Sequence, residues 1–331
     1  MRLALVAVLM AALVCYAGAA VRTVTPQSDP YPTIQSAMLV SAPGDTVVLS
    51  PGTYRDVERF NTSIGLRTAV CKLASGVTLR GMNSANCVID HTATEIGILC
   101  ANITGGAIRN LTVRGGIGRD SGRQDDGDGR GLVAGIMCLE NASPTIERVR
   151  MAESATGIVV RGGCAPVIRS CIIARGSHHG IYIFMNGSSP VVIDHTTIVQ
   201  NFDAGVYVFA GSAAISSSCI THSGKPGVYS YECLPSVTYS NVFQNGRTLP
   251  VPVEYGGWIT DQTGQNGNIS LEPFYCDFTG ALGYDYSVCI DSPNVGSGEG
   301  GTNIGARGGT CTQCVSPVTR ATWGAIKALY R

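Results

Sequence analysis

Charge is scarce in this chain. Only 14% of its 331 residues are Asp, Glu, Lys or Arg, and the formal net charge is zero, where soluble domains average ~25% charged. A continuous basic face able to displace the counterions of a phosphate backbone does not follow from that supply, so nucleic acid is not an expected partner. Long apolar runs are missing too. Past residue 20 nothing approaches the ~20 consecutive apolar residues of a spanning helix, so no membrane span is expected. Metal-ligand spacing is almost absent. Among 13 cysteines only Cys311-x-x-Cys314 shows it, and without a second half this pair reads as an end-of-domain disulfide rather than a zinc site. A leucine ladder with a helix-forming half, the mark of leucine-rich repeats, is lacking as well. What remains is glycine (42 residues) and 44% apolar content, which suits an all-β chain with many turns.

The first twenty residues read as a secretory signal peptide. Arg2 precedes an apolar run from Leu3 to Val14, followed by Ala17, Gly18, Ala19 and Ala20; cleavage is expected after Ala19 or Ala20. Val14 is bulky for a lipobox, which argues against an anchor on Cys15. The expected location is therefore secreted or at the cell surface, where the remaining cysteines can be oxidised.

A repeat runs through the middle of the chain. Gly135-Ile136, Gly157-Ile158, Gly180-Ile181, Gly205-Val206 and Gly227-Val228 follow one another at 22, 23, 25 and 22 residues. Each strand is joined to another whose apolar residues stand five apart: Ile146 and Met151, Ile168 and Ile173, Ile193 and Ile198, Ile215 and Ile220, Val237 and Val242. Three residues beyond come Ser154, Gly176, Asn201, Ser223 and Asn245, small or polar turn formers. Ile108, Val113 and Gly116 make an earlier copy. A sandwich has no need for a fixed period, whereas a solenoid must repeat because each coil covers only its neighbours. Ile and Val suit strands, and parallel crossovers are right-handed. The expected fold is a right-handed parallel β-helix with coils of 22–25 residues.

The ends fit that frame. Tyr31-Pro-Thr-Ile-Gln-Ser-Ala-Met followed by Pro43-Gly-Asp-Thr-Val-Val-Leu-Ser-Pro-Gly-Thr-Tyr54 reads as a short helix, a turn and a first strand, with Ile34, Ala37 and Met38 on one apolar face. This segment closely resembles the N-terminal cap of bacterial β-helix proteins of the pectin-lyase-like fold. Glu272-Pro-Phe-Tyr-Cys276, Tyr284-Asp-Tyr-Ser-Val-Cys289-Ile-Asp-Ser-Pro293 and Ile304-Gly-Ala306 resemble the closing segment of the same family. The expected organisation is a signal peptide (1–20), a cap and first coil (21–75), the β-helix (76–247), a closing segment (248–314), and a linker with a short amphipathic tail (315–331) carrying Trp323, Ile326, Leu329 and Tyr330. The resemblance implies a fold that hosts many unrelated activities.

Alternation assigns the faces. With Ile136, Ile158, Ile181, Val206 and Val228 inward, one outward column is Met137, Val159, Tyr182, Tyr207 and Tyr229. Its neighbour is Leu139, Arg161, Phe184, Phe209 and Tyr231. Six rings on three coils make an exposed ladder suited to sugar rings, and a polysaccharide is the expected ligand of Tyr182, Phe184, Tyr207, Phe209, Tyr229, Tyr231 and Arg161. Self-stacking that merely stiffens the sheet is the competing reading. Inward, Cys100 and Cys138 occupy equivalent core positions, and Cys171 lines up with Val149 and Thr196.

The period breaks once, over Gly115–Gly131. Asp120, Asp125, Asp126 and Asp128 there could gather around calcium, the only cofactor the sequence suggests, or serve glycoside hydrolysis as an acid and base pair. Arg119, Arg123 and Arg130 equally neutralise them in a plain solvated insertion. Asp194-His195, adjacent on a strand, point to opposite faces and make no dyad. Pectate lyases of the resembled fold set calcium-binding acids and an arginine outward on one sheet; Arg161 lacks the accompanying Asp. Polygalacturonases carry Gly-His-Gly and Arg-Ile-Lys segments that are absent here. Three functions stay open: a monomeric exported module binding extracellular or envelope polysaccharide, a polysaccharide lyase or glycoside hydrolase using the 115–131 acids, and a non-catalytic structural surface protein.

Overall fold

The computed structural model of the protein describes residues 18–26, 30–116, 133–278 and 285–312. Each coil lays down three short strands, and equivalent strands of successive coils pair in parallel. Among the described residues this makes sheets of nine, eight and nine strands. The first sheet runs from Val21–Val24 to Ser236–Thr238, the second from Gly52–Tyr54 to Asn241–Phe243, and the third from Glu58–Thr62 to Tyr255–Gly257. The repeat alignment is the register. Ile108, Ile146, Ile168, Ile193, Ile215 and Val237 pair in sequence across the first sheet. Val113, Met151, Ile173, Ile198, Ile220 and Val242 do so across the second. Both columns, with Ile136, Ile158, Ile181, Val206 and Val228 of the third sheet, are buried in one core.

The bends explain the rest of the repeat. Asn110, Arg148, Ser170, His195, Ser217 and Tyr239, between the first and second sheets, all have φ between 43° and 52°. A single left-handed residue turns the chain sharply, at a cost that the stacked coils on either side must hold. Such bends free backbone groups inside the tube, and two polar ladders take them up. In one, the backbone N–H of Thr196, Ser218 and Ser240 donates to Ser218 Oγ, Ser240 Oγ and Asn268 Oδ1 in turn, at 3.1, 3.1 and 3.0 Å. In the other, Asn201 Oδ1 accepts from Gly176 N–H at 3.0 Å and Asn245 Oδ1 from Ser223 N–H at 3.0 Å, while Asn245 Nδ2 donates to Ile220 O at 2.9 Å. Asn201 and Asn245, read from the sequence as turn formers, are thus buried rungs satisfying otherwise orphaned amides.

The repeating glycines answer to space. A Cβ on Gly180 would lie 2.5 Å from Ile198 Cγ2 and 2.6 Å from Gly205 O of the next coil. Only a bare Cα lets the start of each third-sheet strand nestle against the second-sheet isoleucine or valine.

Ile34–Leu39 is helical, capped by reciprocal Thr33 and Ser36 bonds, and buries Ile34, Ala37 and Met38 as the sequence pattern requires. At the far end Tyr255 and Ile259 join the core. The chain then returns along the outside of the second sheet, where Tyr275, Phe278, Tyr286, Val288 and Ile304 cluster on Ile172, Ala174, Val199 and Cys219. The Cys311 reading needs correction: Cys311 bonds Cys276, 35 residues upstream, and not its x-x neighbour. The return of the chain over the second sheet brings those two together. Cys71, Cys87, Cys100, Cys138, Cys164, Cys171, Cys219 and Cys233 are free thiols, seven of them buried. Burial pushes Cys171 and Cys164 up to about 12, far above what a reactive thiolate needs. No described helix is long and apolar enough to cross a membrane.

Candidate functional site on the outer face of the third sheet

Outward residues of the third sheet stack as the alternation requires. Met137, Val159, Tyr182, Tyr207 and Tyr229 form one paired column, and Arg161, Phe184, Phe209 and Tyr231 the next. Phe184 and Phe209 lie 5.1 Å apart at 18°, and Phe209 and Tyr231 5.2 Å apart at 13°. The guanidinium carbon of Arg161 stands 4.6 Å from the Phe184 ring centroid, a cation–π contact that closes the upper end. Near-parallel rings at these separations offer their faces to one another.

The ladder is not evenly exposed. Tyr182, expected in solvent, is 0% exposed. The reason lies above it in the same sheet, where outward Ala69, Ile96, Leu99, Ala134, Met137, Leu139 and Val159 are apolar and build a second core. A hairpin of Glu58–Thr62 and Gly65–Lys72 brings Phe60 and Ile64 onto that cluster. Its tip is tied down by Ser63 N–H donating to Glu140 Oε1 at 2.5 Å. Phe184 and Tyr207 pack against the cluster's edge. Exposure grows only down the column, to 40% at Tyr231 and 57% at Trp258.

Trp258 extends the ring column beyond anything the repeat signals, at 6.2 Å and 48° from Tyr231. Two features place it. Tyr255–Gly257 pairs with the Val228–Tyr231 strand. Gly257 then bends at φ +81, where a Cβ would collide with Ser230 O. Trp258 N–H donates to that same carbonyl at 2.9 Å. The adjacent Gly256-Gly257 was the one local clue.

Beside the first column lies a pocket of about 240 Å³ lined by His179, Asp203, Ala204, Tyr207, Lys225, Pro226 and Tyr229. His179 Nδ1 accepts from Ala204 N–H at 3.2 Å, the bond that a ring carrying its proton on Nε2 makes. That ring lies 5.5 Å from Tyr182 and 5.1 Å from Tyr207. Tyr207 meets Tyr229 edge-on at 5.0 Å and 78°. His178 Nδ1 is 3.6 Å from Asp203 Oδ2. A carboxylate, an ammonium, an imidazole and two phenols therefore converge next to the ring column. The sequence concealed Asp203 and Lys225 because they lie in bends of different coils.

Other sequence candidates fare differently. Asp120, Asp125, Asp126 and Asp128 lie outside the described residues, as does the 315–331 tail. Among the described residues no three His, Cys, Asp or Glu side chains are grouped to hold a metal. Asp194 and His195 do form a pair, contrary to strict alternation: Nδ1 is 2.8 Å from Asp194 Oδ1. The strand ends at Asp194 and His195 is the left-handed bend at φ 44, so period-2 geometry stops between them. His195 Nε2 sits 3.1 Å from Thr302 Oγ1. That hydroxyl donates to Glu299 O at 2.8 Å, so the arrangement pins the returning segment and leaves no primed nucleophile.

No curated protein matches the chain. Among solved structures it is similar to the A-modules of the Azotobacter vinelandii mannuronan C-5 epimerases AlgE4 (17% identity, 77% of this chain and 79% of that one, TM-score 0.40) and AlgE6 (17%, 67% and 73%, 0.38). It is also similar to pectate lyase Pel9A (11% identity, 88% and 96%, TM-score 0.49). None of these likenesses carries a residue role across. The model of the right-handed β-helix region matches residues 96–271, more than half of the chain, and the protein belongs to that family.

Proposed function

We propose that this protein is exported and holds an extended polysaccharide along the lower half of its third sheet, over Tyr229, Tyr231 and Trp258 and into the adjoining pocket. One observation carries the reading. A column of rings on successive coils passes from covered to open and ends on Trp258, tilted out of the stack and 57% exposed. The upper rings stiffen the sheet and complete the second core. The lower rings have no such duty, and amphipathic rings in a line match the repeat of a glycan. Tyr231→Ala with Trp258→Ala is expected to abolish retention by a matching polysaccharide in affinity electrophoresis. The unfolding free energy should move by less than about 1 kcal/mol, since exposed residues leave no core cavity. Retention unchanged in the double variant sinks the proposal.

A second reading, glycan cleavage, is favoured by the pocket alone: groups able to take and give protons converge within reach of the same bound chain. Reducing-end and unsaturated-product assays on the polysaccharides that bind decide it. Lys225→Ala and Tyr229→Phe should remove turnover if it exists, while retention stays.

A further inference from the structure

Given the export proposed above, on which this rests, we infer that a signal peptidase cuts between Ala19 and Ala20 and that the α-ammonium so released is seated on Asp45, at the rim of the first sheet.

The sequence leaves two cuts open, after Ala19 and after Ala20, since small residues precede both. The fold treats them differently. Gly18 and Ala19 are exposed ahead of the first strand, and a Cβ on Gly18 would meet nothing within 4 Å. Ala20 is held from both sides. Its N–H donates to Asp45 Oδ1 at 2.7 Å, and its carbonyl accepts from Thr46 N–H at 2.8 Å. Val21–Val24 then pairs in register with Thr46–Leu49. A cut after Ala20 strips Thr46 N–H of its acceptor and Asp45 of a donor. A cut after Ala19 keeps both bonds, so the first residue that the coil uses is the first that the protease leaves.

Asp45 is built to receive a positive charge. It is only 6% exposed, and both of its oxygens are engaged. While Oδ1 faces the Ala20 nitrogen, Oδ2 accepts from Ala42 N–H at 2.9 Å and meets Arg22 Nη1 at 2.5 Å. Among the described residues Arg22 is the charged group that meets this carboxylate. Hydrogen bonds from the Ala42 and Ala20 amides, opposed by burial and aided by Arg22, hold its carboxyl below the ordinary range. It is therefore ionised at neutral pH.

Hydrolysis breaks the bond between the Ala19 carbonyl carbon and the Ala20 nitrogen. Water gives its hydroxyl to the carbon and a proton to the nitrogen, which takes up a second proton at neutral pH. The nitrogen already stands at hydrogen-bond distance from Asp45, so a neutral donor becomes a cation in place and the bond becomes charge-assisted on both sides. Through Ala42 the same carboxylate braces the turn behind the capping helix. Removal of the leader thus ties the start of the chain to its cap by an ion pair that the precursor lacks.

N-terminal sequencing and intact mass test the cut, on the full precursor expressed with its own leader and on the exported protein collected from it. The exported chain should start at Ala20. Acylation of its amine by acetic anhydride across a pH series, followed by mass on the N-terminal peptide, tests the seat. A free α-amine titrates at ~7.7–8.0. On Asp45 the rate should rise only at higher pH. At pH 7 it should be about tenfold below that of the same amine in Asp45→Asn, the effect of moving the titration by about one pH unit. Lys225, exposed in a later coil, should react alike in both. If Asp45→Asn fails to fold, the parent in urea supplies the free amine for the same comparison. A chain that starts at Val21, or anywhere but Ala20, overturns the inference and leaves export standing. A precursor that stays uncut inside the cell overturns both. An Ala20 amine with the same pH profile in the folded protein as in urea overturns the ion pair.

Discussion

His222 makes this fold acid-sensitive by a calculable amount. It occupies a left-handed bend at φ 57 just after the Cys219–Thr221 strand and beneath the returning segment. Its ring lies 4.5 Å from Phe278 and 6.0 Å from Phe243. Among the described residues neither ring nitrogen has a hydrogen-bond partner of good geometry. Burial, reinforced by the charge of Arg247 and opposed by Gln244, pulls its pKa down to about 4 from an ordinary 6.5. Between those values the unfolded chain carries a proton that the folded chain refuses. Stability from the neutral ring is therefore whole above pH 6.5 and drains away as pH falls toward 4. At 1.36 kcal/mol per unit the loss is about 3 kcal/mol. Carboxylates titrate in the same range, so the informative quantity is a difference of differences. Urea unfolding of the parent, His222→Phe and His222→Asn at pH 7 and pH 4 supplies it. Both variants start less stable, from strain in the bend or lost packing, yet each should lose about 3 kcal/mol less than the parent on acidification. Equal losses in all three would refute the reasoning.

Three further outcomes are expected. Gly180→Ala puts a methyl against Ile198 and Gly205 O and should cost about 2 kcal/mol or more in thermal or urea unfolding. Asn201→Ala removes the acceptor of the Gly176 amide and the donor to Ile173 O; leaving both buried should cost about 1–3 kcal/mol, with amide exchange quickening first at Gly176. Cys276→Ser opens a loop closed over 35 residues and should lower stability by about 3–4 kcal/mol on the chain-entropy account. If reducing agent removes that difference between parent and variant, the bond is its source.

Much of the architecture was legible because a solenoid writes its register into its period. The apolar residues five apart span one left-handed bend, and the shared frame placed Ile146, Ile168, Ile193, Ile215 and Val237 in one column. Alternation likewise put six rings outward on one sheet. It failed at His195, where the strand had ended, and at Tyr182, whose outward direction was right and whose exposure was not. Direction is a local property of the backbone, while exposure depends on whatever packs on top. The hairpin that carries Phe60 and Ile64 onto this face lies outside the repeat.

Sequence by itself thus determined the coil, its period, the inward columns and the outward rings, since nearest-neighbour stacking makes these local and repeated. Tertiary structure alone decided which rings are covered and set Trp258 at the open end of their column. It also joined Asp203, Lys225 and the tyrosines in one pocket, and ran the C-terminal segment over the second sheet to pair Cys276 with Cys311. Those arrangements come from bends, insertions and the returning chain, which follow no period and meet only when the coils are stacked.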